Sequence, residues 1–170
     1  MIAKSLDVYA LAKLLLEKEK RSFAVVAKEI GMSASEFHAA VQRLAFAGLI
    51  EQESRKPRGK PVEEYLFHGV PYAFPARQGA PTRGVPTSHS AAPLNALVAT
   101  SSGTLGPVWP DAGGKIRGYA IDPLHPSAPR VAVDDLAFYE VLALIDALRD
   151  GRMRERALAR EELHRRIFPA

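Results

Sequence analysis

The chain has 170 residues, an apolar share of 47%, 23 lysines and arginines against 19 acidic residues, and no cysteine. That length suits one domain, or a small domain with an appendage. Without cysteine there are no disulfides, thiol nucleophiles or thiolate zinc sites, no apolar run approaches the roughly 18 residues of a membrane span, and the N-terminus, with Lys4 and Asp7, lacks a signal-peptide core, so a cytoplasmic protein that does not enter the membrane is expected.

The net charge of +4 does not mark a nucleic-acid binder by itself, but the charges are unevenly spread. Residues 1–70 carry 11 cations and 9 anions, residues 71–130 carry 5 and 2, and residues 131–170 carry 7 and 8. Basic character is therefore local rather than global.

Leu6 to Lys20 reads as a first helix with two apolar stripes, Leu6, Tyr9, Ala10 and Leu14 on one and Val8, Leu11, Ala12 and Leu15 on the other. Such a helix either sits in a crowded core or packs partly on a second chain. Ser22 can cap a helix with Phe23, Val26, Ala27 and Ile30 at helical spacing, and Gly31 follows where a left-handed backbone is needed. Ser33-Ala34-Ser35-Glu36 is a capping box ahead of an apolar run. The helix it starts buries Phe37, Ala40, Val41 and Leu44 and turns Ser35, His38, Ala39, Gln42 and Arg43 outward. Two helices joined so tightly predict a helix-turn-helix.

Ala47-Gly48-Leu49-Ile50 closes that helix and opens a short strand, and Glu64 to Phe67 reads as its partner strand. Between them lies Ser54-Arg55-Lys56-Pro57-Arg58-Gly59-Lys60-Pro61, four cations in six positions, so a β-hairpin with a cationic tip is expected: a winged helix. With Ala27, Gly31 and Phe37 at the family spacing, and Leu44 to Ile50 matching its helix-to-strand passage, residues 5–68 resemble the winged helix-turn-helix domain of MarR-type bacterial transcriptional regulators. Winged helices also serve as protein-docking modules, so the motif speaks more for fold than for DNA.

Residues 69–130 hold ten of the thirteen prolines and eight of the twelve glycines, with no sustained period. Tyr72, Phe74, Val85, Leu94, Leu97, Val98, Leu105, Val108, Trp109, Ile116, Tyr119 and Ile121 nevertheless require burial. The reading is an extended, proline-stiffened segment with a short helix after Pro93 and a strand near Lys115 to Ile121, wrapped on its own domain, a sister subunit or a partner. Phe74-Pro75, Thr82 to Thr87 and Pro93-Leu94 are similar to MarR-like proteobacterial regulators and, more loosely, to AbiEi-type antitoxin regulators. The latter resemblance implies a toxin as protein partner for residues 69–170.

Val133 to Phe168 predicts a helical pair broken at Asp150-Gly151 and capped by Asp134 or Asp135. Phe138, Val141, Leu142, Ile145 and Leu148 form the main stripe of the first helix, and Met153, Ala157, Leu158, Leu163 and Ile167 the inside of the second. None of the five histidines has metal-ligand spacing, and no phosphate loop or nucleophile motif is complete, so neither an enzyme nor a cofactor is expected.

The expected fold is mainly α with a small β-wing: a winged helix-turn-helix over 1–68, an extended Pro/Gly-rich segment over 69–130 and a C-terminal helical hairpin over 131–170. The N-terminal helix and the hairpin would form a dimer surface. The expected function is a homodimeric double-stranded DNA-binding regulator, a repressor in the first instance, with Ser33, Ser35, His38, Ala39, Gln42 and Arg43 in the major groove and Arg55, Lys56, Arg58 and Lys60 on the backbone. The competing function is an antitoxin-like interaction module.

Overall fold

The computed structural model describes residues 1–99 and 103–168. It is mostly helical, with one small sheet. The helices are α1 (Ser5–Leu14), α2 (Phe23–Glu29), α3 (Ala34–Phe46), α4 (Gly59–Glu64), α5 (Val70–Ala73), α6 (Ala128–Val131), α7 (Leu136–Asp150) and α8 (Met153–Ile167), and the strands are β1 (Pro81–Pro86), β2 (Pro107–Pro110) and β3 (Ile116–Ala120).

α1 is the central element. Every residue from Asp7 to Leu14 is buried, because α3 packs on one side of it and α7 on the other. Its two stripes are thus consumed inside the chain, and α1 presents no free face to a second copy. Tyr9 shows how closed the environment is. Its ring stacks on His125 at 4.9 Å, meets Phe138 edge-on at 5.1 Å, and its hydroxyl donates to the Ile30 carbonyl at 2.7 Å. The helix stops at Leu14 rather than Lys20. Leu16 and Glu17 close with tighter bonds to Lys13 and Leu14, and the exposed Lys18-Glu19-Lys20 run has no apolar face for packing to hold.

The α2–turn–α3 unit forms as its caps predict. Ser22 Oγ accepts from the Val25 amide, and Gly31 takes φ +71°. Phe37, Ala40, Val41 and Leu44 are buried.

The hairpin does not form. Its first strand is a single bridge, Ile50 to Pro57, closed by Glu51 N–H to Lys56 O at 2.9 Å and Arg58 N–H to Leu49 O at 2.8 Å. The expected partner strand, 64–67, is helical instead: α4 runs through a π-helical turn, Tyr65–Gly69, into α5. Val62, Leu66 and Val70, four residues apart, are all fully buried. Four residues of alternation at 64–67 were too few to outweigh that spacing.

The proline-rich segment folds onto its own chain. β1 is antiparallel to both β2 and β3, which pair in parallel with each other, so the three short strands close on themselves. Closure this tight needs glycine: a Cβ at Gly84 would overlap the Trp109 carbonyl, and one at Gly118 the Gly106 carbonyl. The anticipated strand near 115–121 is β3; the anticipated helix after Pro93 is one 3₁₀ turn, Leu94–Ala96. Leu94, Val108, Trp109 and Ile121 are buried, whereas Tyr72, Leu97, Leu105 and Ile116 stay exposed.

A buried polar hub ties this segment to α7. Asp146, 1% exposed, accepts from Thr87 Oγ1 and Trp109 Nε1 at 2.7 Å each and from Arg149 Nη1 at 2.6 Å. Arg149 also donates to the carbonyls of Phe74 at 2.7 Å and Asp122 at 3.2 Å. Both carboxylate oxygens of Asp146 and the Nε and Nη1 of Arg149 are thereby satisfied by protein partners.

α7 and α8 form the expected hairpin, broken at Gly151 and capped by Asp135, which accepts from the Phe138 amide at 3.1 Å. The predicted stripe of α7 is buried throughout. On α8 the inward residues are Ala159, Glu162 and Leu163; Met153, expected inside, is 88% exposed. One cluster of buried side chains runs from α1 to α8 through all three segments of the chain.

Candidate nucleic-acid interface

α3 begins at Ser33. Its Oγ accepts from the Glu36 amide at 3.2 Å, and the Glu36 carboxylate accepts from the Ser33 amide at 2.9 Å. These bonds to Ser33 hold the Glu36 carboxyl below the usual range. Both side chains are therefore used by the helix end, and Ser33 Oγ also lies 3.2 Å from Ser35 Oγ. Ser33, Ser35 and His38 are exposed, and Ala39 and Gln42 are half-buried. The N-terminal half of α3 is the open part. From His38 to Arg43 the helix shares a shallow groove with Met1, Ile2 and Lys4, lined by His38, Ala39, Gln42 and Arg43.

Arg43 does not project outward as expected. Its Nε donates to both Asp7 oxygens at 3.0 and 2.8 Å, and its Nη2 to Oδ1 at 2.8 Å. The Asp7 side chain is 2% exposed. Arg43 thus neutralises a buried acid of α1, whose own position at the start of that helix is also favoured by the helix dipole.

Arg55 does not reach outward either. It adopts φ +59°, is 6% exposed, and its guanidinium lies 4.4 Å from the centroid of the Phe23 ring. One nitrogen donates to the Arg21 carbonyl. Burial lowers its pKa. It anchors the turn on α2 by a cation–π contact rather than forming a tip.

Lys56, Arg58 and Lys60 remain exposed, and among the described residues only Lys60 of the three has a nearby acid, Glu63 at 3.5 Å. Packing brings in two cations with no motif to announce them. Lys18 and Lys20 line a cleft of about 270 Å³ together with Lys56 and Pro57, and Lys20 Nζ donates to the Glu53 carbonyl at 2.6 Å. Arg21, in the same cleft, is neutralised by Glu17 and Glu29 at 2.7 Å each.

Phe23 joins the two halves of the site. Arg55 covers its face, while His38 meets its edge at 4.9 Å. The basic turn and the exposed start of α3 are thus neighbours. From behind, Ser127 Oγ donates to the Gly31 carbonyl at 2.9 Å, and Ser127 N–H donates to His125 Nδ1 at 3.1 Å. The proline-rich segment pins the turn between α2 and α3.

Among the described residues, no three His, Asp or Glu side chains are grouped as metal ligands, and no helix is long and apolar enough to cross a membrane. Compared with known protein families, curated proteins and solved structures, the chain matches none.

Proposed function

We propose that this chain binds double-stranded DNA as a transcriptional regulator of winged helix-turn-helix type with a reduced wing. Ser33, Ser35 and His38 at the start of α3 face the major groove, with Gln42 at its margin, while Lys56, Arg58 and Lys60 meet the backbone, assisted by Lys18 and Lys20. The observation that carries this reading is the Arg55–Phe23–His38 contact, which sets an exposed cationic turn beside an exposed, capped helix start. Phosphate contacts supply affinity and base contacts supply choice, and this flank offers residues for both.

A single α3 reads too few base pairs for useful specificity. The chain acts as a homodimer on a palindrome whose half-sites lie about 34 Å apart, with repression as the simplest outcome. The test is a gel-shift of the full chain on a random-sequence duplex pool, with selection of bound sequences. Recovery of a palindrome supports the reading. Failure to bind any duplex at low salt ends it.

A further inference from the structure

The register of the small sheet places Arg83 directly opposite Arg117 on the antiparallel β1–β3 ladder. Directly paired residues point to the same face. Gly84 and Gly118 occupy tight positions against the backbones of Trp109 and Gly106, whereas Arg83 and Arg117 are both exposed. Lys115, just before β3, is exposed as well. Two like charges side by side destabilise a ladder, yet among the described residues neither arginine has an acid within 4 Å, and the same holds for Lys115. Residues 71–130 carry five cations against two anions. By contrast Lys13, Arg21, Arg43 and Arg149 are all matched to carboxylates.

We propose that Arg83 and Arg117, with Lys115 beside them, form a docking surface for a carboxylate-rich segment of a protein partner. Charge complementarity names the partner's chemistry. Two guanidinium forks at cross-strand spacing offer paired donors to successive carboxylates. Position separates this surface from the one on α3. α3 packs on α1, α1 on α7, and the sheet is bonded to α7 through Trp109 and Asp146. The arginine pair lies on β1 and β3 and the duplex residues on α3 and its cap, the stretch from Lys56 to Lys60 and the run after α1, so the two surfaces draw on separate side chains. An acid, Asp111, sits within the patch, its amide bonded to the Arg83 carbonyl at 3.1 Å. Its charge opposes carboxylate and phosphate alike, and the choice of a protein partner rests on the enrichment of Arg at protein interfaces. The closed strand order also removes any free edge, so a partner must recognise side chains rather than add a strand.

The test uses the full chain, a fluorescent oligoglutamate peptide and, separately, a labelled duplex. The double variant Arg83→Gln/Arg117→Gln should bind the peptide about tenfold more weakly, the loss of two exposed charge pairs, while keeping the wild-type duplex affinity and a melting temperature at least as high. Lys56→Gln/Arg58→Gln should leave peptide binding unchanged. The proposal is overturned if the wild-type chain ignores the peptide, if Arg83→Gln/Arg117→Gln binds it as well as wild type, or if that variant loses duplex binding instead. The peptide result stands apart from the reading of α3, since a chain that binds no duplex can still bind the peptide.

Discussion

Arg43 of α3 and Asp7 of α1 are locked by three hydrogen bonds of 2.8–3.0 Å, with the carboxylate almost wholly buried. This bond ties α3 to α1 and removes a cation from the face proposed to meet DNA. Replacing Arg43 by alanine leaves the buried Asp7 carboxylate without its counter-charge, still bonded to the Lys4 amide at 2.9 Å, so about 3 kcal/mol of stability should be lost. Sequence preference among duplexes should stay the same. Urea unfolding and a binding selection under folding conditions check the two halves of the statement; a changed preference without a stability loss would contradict it.

The exposed cations behave differently. Neutralising Lys56, Arg58 and Lys60 together should leave unfolding within about 0.5 kcal/mol of wild type, because none is buried. Duplex affinity should fall for all sequences alike, and the slope of log K against log salt should flatten by about 0.9 for each phosphate contact removed. Titrations at several salt concentrations measure this directly.

Asp146 holds the proline-rich segment on α7 through Thr87, Trp109 and Arg149. Asp146→Ala strands the buried Arg149 charge and two further donors, and should cost about 3–5 kcal/mol. Because the hub links β2 to α7, tryptophan fluorescence from Trp109, the single tryptophan of the chain, should shift with the loss. An unchanged denaturation midpoint would show that the hub is not what holds the segment.

Stability should fall on the acid side in two steps. His125 is held below its ordinary 6.5, first by burial and in smaller part by Arg130, with Glu36 opposing. The neutral ring accepts from Ser127, which protonation of Nδ1 forbids. A lowered folded-state value means the unfolded chain binds the proton first. The His125 contribution is therefore complete above 6.5 and lost as pH falls through the lower folded value. Glu29, lowered from 4.5 to about 2 chiefly by its bond to Arg21, adds a second loss below 4.5, together with Glu36, held down by its bonds to Ser33. Melting temperature against pH should decline below 6.5, and His125→Gln should remove the upper step only.

Local order was legible from residue types and spacing alone. Ser22, Gly31 and the Ser33–Glu36 box announced α2, α3 and the turn between them because caps are written within three or four neighbouring residues. The α7–α8 hairpin was legible for the same reason: fifteen residues of helical period ending at Gly151 leave little choice. The short segment 64–67 was not, since four residues fit a strand or a helix equally and the packing of Leu66 and Val70 against the core decided it. Nor was the fate of Arg43 and Arg55. A charged side chain carries no mark in its sequence of whether it will meet water or a buried partner, and here Asp7, 36 positions away, and the ring of Phe23, 32 positions away, claimed them. On α1, α3 and α7 side-chain periodicity determined which faces turn inward; only long-range contact decided which of the outward charges remained unpaired.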